Sequence, residues 1–93
     1  MKSRIKGKWV FITGASSGIG KGCARKCAAA GANLIFGARR MERLLALKEE
    51  LSRVHGVTIF CRQLDVRDRD DVFRFVEELK EKGIVPDVLI NNA

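Results

Sequence analysis

Four short apolar runs punctuate the chain, at Trp9 to Thr13, Asn33 to Gly37, Val57 to Leu64 and Val88 to Asn91. Each is nearly continuous rather than alternating, which predicts strands covered on both faces, as in a parallel sheet. Three stretches with helical spacing lie between them. The first spans Gly18 to Ala30, with Ile19, Gly22, Cys23, Cys27 and Ala30 expected to face the sheet and Gly31 as its stop. The second spans Met41 to Val54, with Met41, Leu44, Leu45, Leu47, Leu51 and Val54 on its apolar side and Gly56 ending it. The third starts from Asp68 as N-cap, carries Asp70 and Asp71 in its first turn, and is expected to bury Val72, Phe73, Phe75, Val76 and Leu79 before Gly83 and Pro86 close it.

Strand and helix therefore alternate as β-α-β-α-β-α-β with short connections. Right-handed crossovers turn that alternation into an open parallel α/β sheet of order 3-2-1-4, with helices on both faces. This is the first half of a Rossmann-like doubly wound fold, plus the strand across its switch point.

A length of 93 residues suits one small domain, and 46% apolar against 31% charged residues suits a packed rather than a disordered chain. No apolar run approaches the roughly 20 residues that cross a bilayer, and the basic start leads straight into a strand, so a soluble, cytoplasmic protein without a membrane partner is expected. Cys23, Cys27 and Cys61 give neither CxxC spacing nor an even set and read as free, buried thiols. Charge adds more. The first 41 residues hold nine Lys/Arg and no Asp/Glu, whereas residues 42 to 93 hold nine basic against eleven acidic. An anion bound by this protein belongs to the first half; nucleic acid, a membrane surface and a phosphorylated small molecule all satisfy that charge.

The segment TGASSGIG, residues 13 to 20, decides among them. It places Gly14, Gly18 and Gly20 between the first strand and the first helix. Glycine there permits positive φ and lets backbone amides approach an anion, while the helix N-terminus adds partial positive charge. A diphosphate is the natural guest, with Ser16 or Ser17 able to add hydroxyl contacts and Ile19 inside the same turn. The spacing is neither GxGxxG nor a P-loop. The T-G-x-x-x-G-x-G pattern resembles that of the short-chain dehydrogenase/reductase family, and GARR (37 to 40), LDV (64 to 66) and NNA (91 to 93) match the family in order and approximate spacing across essentially the whole chain. The resemblance implies that Asp65 bonds the adenine amino group and that Val66 meets the ring through its backbone. It also implies that Asn91, Asn92 and Ala93 line the adenosine side and brace the central sheet.

The end of the second strand bears on the coenzyme. An NAD enzyme normally places an acidic residue there, to accept bonds from both ribose hydroxyls. Here Ala38 is followed by Arg39 and Arg40, and a guanidinium makes paired, charge-assisted bonds to a 2′-phosphate. NADP(H) is therefore the expected coenzyme, with Arg39 the first choice as phosphate ligand and Arg40 the second. Glu42 falls near the acidic position by residue count but belongs to the following helix.

The resemblance further implies hydride transfer between nicotinamide and a small alcohol or carbonyl substrate, by a Tyr-x-x-x-Lys pair with a nearby Ser, in a homo-oligomer. This chain has no Tyr, so no residue is nominated as catalytic, and it reads as the NADP(H)-binding half-domain of a longer enzyme, residues 1–93. Its fourth strand is then an exposed edge, expected to leave the isolated stretch loosely folded or prone to associate. The lone His55, at the end of the second helix, suits the helix dipole rather than catalysis. No metal site is expected. A non-catalytic NADP(H)-binding module is the second reading. A nucleic-acid binder is the third, disfavoured because no DNA- or RNA-binding signature accompanies the basic residues.

Overall fold

A computed structural model describes residues 4–15 and 17–92; Ser16 and Ala93, both expected at the site, lie outside them. The elements follow in the order β1 (Trp9–Thr13), α1 (Gly18–Ala29), β2 (Asn33–Ala38), α2 (Met41–His55), β3 (Ile59–Gln63), α3 (Arg69–Glu81) and β4 (Val88–Asn91). All strand pairs are parallel and the sheet order is β3-β2-β1-β4, as the alternation requires. The register brings Thr13 opposite Gly37 and Asn91, and Ala38 opposite Gln63, so the C-terminal ends of all four strands form one row.

Side chains leave the sheet alternately to two cores. Val10, Ile12, Leu34, Phe36 and Ile59 pack with Ala24, Ala28, Leu44, Leu47 and Leu51 on the side of α1 and α2. Ile35 and Leu64, with Trp9, Phe11 and Phe60 partly buried beside them, pack with Phe75 and Leu79 of α3 on the other. Phe75 anchors the second core, its ring stacked on Phe11 at 5.1 Å and edge-on to Phe60 at 6.2 Å. Such aromatic pairs add about 0.5–1.5 kcal/mol beyond the area they bury.

Several expected core positions are exposed, and helix geometry accounts for them. The buried ridge of α1 is Gly20, Ala24 and Ala28. At about 100° per residue, Ile19 and Gly22 fall roughly 140–160° from its centre, and Ile19 is 77% exposed. On α3, Val72, Phe75 and Leu79 share one side, while Phe73 and Val76 rotate away and are exposed. Leu45 of α2 is out for the same reason, and Val54, near the end of that helix, is also exposed. The third strand is shorter than its apolar run, because Val57 and Leu64 pack outside the ladder. The fourth is covered on neither face along most of its length, with Leu89 63% exposed, in contrast to the doubly covered strand expected. The three cysteines are free as expected but half-buried rather than buried.

Candidate nucleotide site

A cleft of about 720 Å³ opens along the row of strand ends. Gly14 and Ser17 form its floor beside α1, Arg39, Arg40 and Arg43 come from the β2–α2 junction, Asp65, Val66 and Arg67 follow β3, and Asn92 follows β4. Gly14, Ser17, Arg39, Arg40, Asp65, Val66 and Asn92 are thus brought together as the sequence expects. Gly18, Ile19, Gly20 and Asn91 do not line the cleft.

The glycine turn is built by close approach. Gly14 has φ +66°, and a Cβ there would collide with the carbonyl oxygen of Asn92. Gly20 presses against the Gly14 carbonyl, and a Cβ there would lie 2.7 Å from Asn92 Nδ2. Gly18 is different, since an added Cβ would meet no protein atom within 4 Å. The turn is then pinned by polar side chains. Thr13 Oγ1 donates to Asn91 Oδ1 at 2.9 Å and accepts Asn92 N–H at 3.1 Å. Asn92 Nδ2 donates to Gly14 O at 3.2 Å and to Ser17 Oγ at 3.0 Å. The Ser17 hydroxyl donates inward to Gly14 O at 2.9 Å, so donating instead to a ligand requires that bond to exchange.

The three helix N-termini differ in a way that bears on anions. α3 is capped by Asp68, which accepts from the amides of Asp70 and Asp71, and has acidic residues in its first turn. α1 has Ser17 as N-cap but no side-chain capping bond and no acidic residue in its first turn. Ser17 lines the cleft, so the positive end of the α1 dipole adjoins it with no carboxylate in the first turn to offset that charge. Across the cleft, four guanidiniums (Arg39, Arg40, Arg43 and Arg67) meet a single carboxylate, Asp65. Arg43 and Arg67 were not singled out in the sequence. Arg43 was findable, standing one helical turn beyond Arg39 and Arg40, whereas nothing local marks Arg67.

Arg67 grips Asp65 with Nε at 3.1 Å from Oδ1 and Nη2 at 3.2 Å from Oδ2. These bonds, the Arg67 N–H and the more distant Arg39 charge hold the Asp65 carboxyl below the usual carboxylate range. Glu42 does not line the cleft, so no acidic side chain from the β2–α2 junction competes there. Cys61 does not line the cleft; burial pushes its thiol up to about 11, and its Sγ–H donates to Leu44 O. Among the described residues no group of His, Cys, Asp and Glu is arranged to hold a metal ion, and no helix is long and apolar enough to cross a membrane.

A parallel sheet of order 3-2-1-4, with a glycine turn and an uncapped helix N-terminus at its switch point, defines the Rossmann-like class of α/β proteins. Within that class the chain belongs to the short-chain dehydrogenase family, whose model matches residues 8–93. It is 50% identical over 84 residues to a sulfoacetaldehyde reductase of Chromohalobacter salexigens, covering 90% of this chain and 32% of that protein. It is 41% identical over 92 residues to an NADP-dependent 3-hydroxy acid dehydrogenase of Schizosaccharomyces pombe, covering 98% and 36%. The L-sorbose reductase of Gluconobacter frateurii, solved in complex with NADPH and L-sorbose, superposes with a TM-score of 0.91 at 35% identity, covering all of this chain and 35% of that one. The chain spans about a third of the length of these relatives.

Proposed function

We propose that this chain is the coenzyme-binding part of an NADP(H)-dependent oxidoreductase acting on a small alcohol or carbonyl compound. The observation that carries the reading is the cluster of Arg39, Arg40 and Arg43 at the β2–α2 junction, in a cleft where no carboxylate from that junction competes. A carboxylate at that place would repel a 2′-phosphate, whereas guanidiniums bond it in pairs. The Gly14 turn, with its Cβ-free approach to Asn92, and the uncapped start of α1 fit a diphosphate. In this reading Asp65 and Val66, which line the same cleft, take the adenine, with Asp65 accepting from its amino group. The names of the relatives support the coenzyme: one is called NADP-dependent and another was solved with NADPH.

Bound there, the coenzyme supplies a transferable hydride at its nicotinamide ring. The residues of this chain bind and orient it, and none is assigned to the chemical step, since the chain contains no Tyr. This stretch alone is therefore expected to bind without turnover. Replacing Arg39 by Ala is expected to weaken NADPH binding by about 1.5–3 kcal/mol, on the order of 10- to 100-fold, and NADH binding by less than about threefold. Equal losses for both, measured by fluorescence titration, would remove the assignment.

A further inference from the structure

Beside the cleft, between β3 and α3, Arg62 and Asp71 line a second hollow that shares Arg39 and Asp65 with it. Asp71 stands in the first turn of α3, but the helix does not need it as a cap, because Asp68 already fills that role. Its side chain is 19% exposed and is committed elsewhere. Oδ2 accepts the backbone N–H of Asp65 at 3.1 Å, and Oδ1 accepts Arg62 Nη1 at 3.0 Å. Arg62 is held in turn, with Nε 2.9 Å from Glu78 Oε2 and its guanidinium 5.5 Å from the centre of the Phe75 ring.

The placement matters because of where the sheet ends. The last ladder bond on this side runs from Leu64 N to Ala38 O. The next amide, that of Asp65, points away from β2 to the open edge of the sheet, where no strand offers an acceptor, and Asp71 supplies one. The Asp65 carbonyl accepts Asp68 N at 3.0 Å, so both ends of the turn carrying the carboxylate are tied to the start of α3. Resting on the reading that Asp65 accepts the adenine amino group, we infer that Asp71 is a positioning residue for adenine recognition, fixing the Asp65 peptide with Arg62 as its anchor.

The base itself provides the readout. A carboxylate accepts from the amino group of adenine but opposes the carbonyl oxygen that hypoxanthine carries at the same position. NADPH and its hypoxanthine analogue are titrated into the full chain and into Asp71→Ala and Asp71→Asn, with thermal melts and hydrogen exchange at the Asp65 amide followed in parallel. The unaltered chain is expected to prefer adenine by about tenfold or more. Asp71→Ala should lower that preference to below about threefold and speed exchange of the Asp65 amide. Asp71→Asn, which keeps an acceptor oxygen, should restore most of both. If Asp71→Ala does not fold, Arg62→Gln takes its place and is expected to cut the preference by about threefold. A folded Asp71→Ala or Arg62→Gln variant with undiminished preference overturns the inference and leaves the coenzyme assignment standing. Absence of any preference in the unaltered chain removes the Asp65 assignment, and the inference with it.

Discussion

Gly14 and Gly18 belong to one motif yet do different things. Gly14 has positive φ and a neighbouring carbonyl where its Cβ would go, so Gly14→Ala faces both backbone strain and a collision. Gly18 faces open space at the start of α1, where a Cβ meets no protein atom. Gly14→Ala is accordingly expected to destabilise the fold by about 1–3 kcal/mol. Gly18→Ala should change stability by less than about 1 kcal/mol while weakening dinucleotide binding. Chemical denaturation alongside coenzyme titration separates the two, and equal stability losses would show that Gly18 is structural. The motif was legible in the sequence because GARR, LDV and NNA accompany it in order and approximate spacing. The bonds that pin the turn were not, since Thr13 and Asn91 are 78 residues apart.

For the elements, spacing located every helix and strand, but which residues each helix buries depended on its rotation against the sheet. Phe73 and Phe75 make the point, being equally apolar neighbours on the same helix. Phe75 is 1% exposed between Phe11 and Phe60, while Phe73 is 66% exposed. Phe75→Ala is expected to cost about 3–5 kcal/mol, and Phe73→Ala within about 0.5 kcal/mol of nothing. Urea midpoints measured for both decide it, and comparable losses would mean that α3 is rotated from the position described. Glycine and alanine on the inner ridge of α1 bring that helix close to the sheet, which turns the bulkier Ile19 outward.

Across the whole molecule, charge links the site to stability. Asp71 is held below the ordinary carboxylate range by the Asp65 amide and by Arg62, and Asp65 is held there chiefly by Arg67. A carboxyl whose folded value is depressed contributes stability in full above its unfolded value, about 3.9, and loses it as pH falls through the folded value. The urea midpoint should therefore stay level from pH 7 to about 5 and decline below about 4. Asp71→Asn should make that acid limb shallower. An unchanged limb in this variant would show that its bonds to Asp65 and Arg62 contribute nothing to folding.

Order along the chain determined the alternation of strand and helix, and with it the parallel sheet and the glycine turn between β1 and α1, because periodicity and glycine placement act over a few residues. The tertiary structure alone decided that Arg67 joins Arg39, Arg40 and Arg43 in one cleft, that Asn92 closes over Gly14, and that Asp71 reaches the Asp65 amide. Those contacts depend on strand register and helix rotation, which are settled by packing two cores at once rather than by any local run of residues.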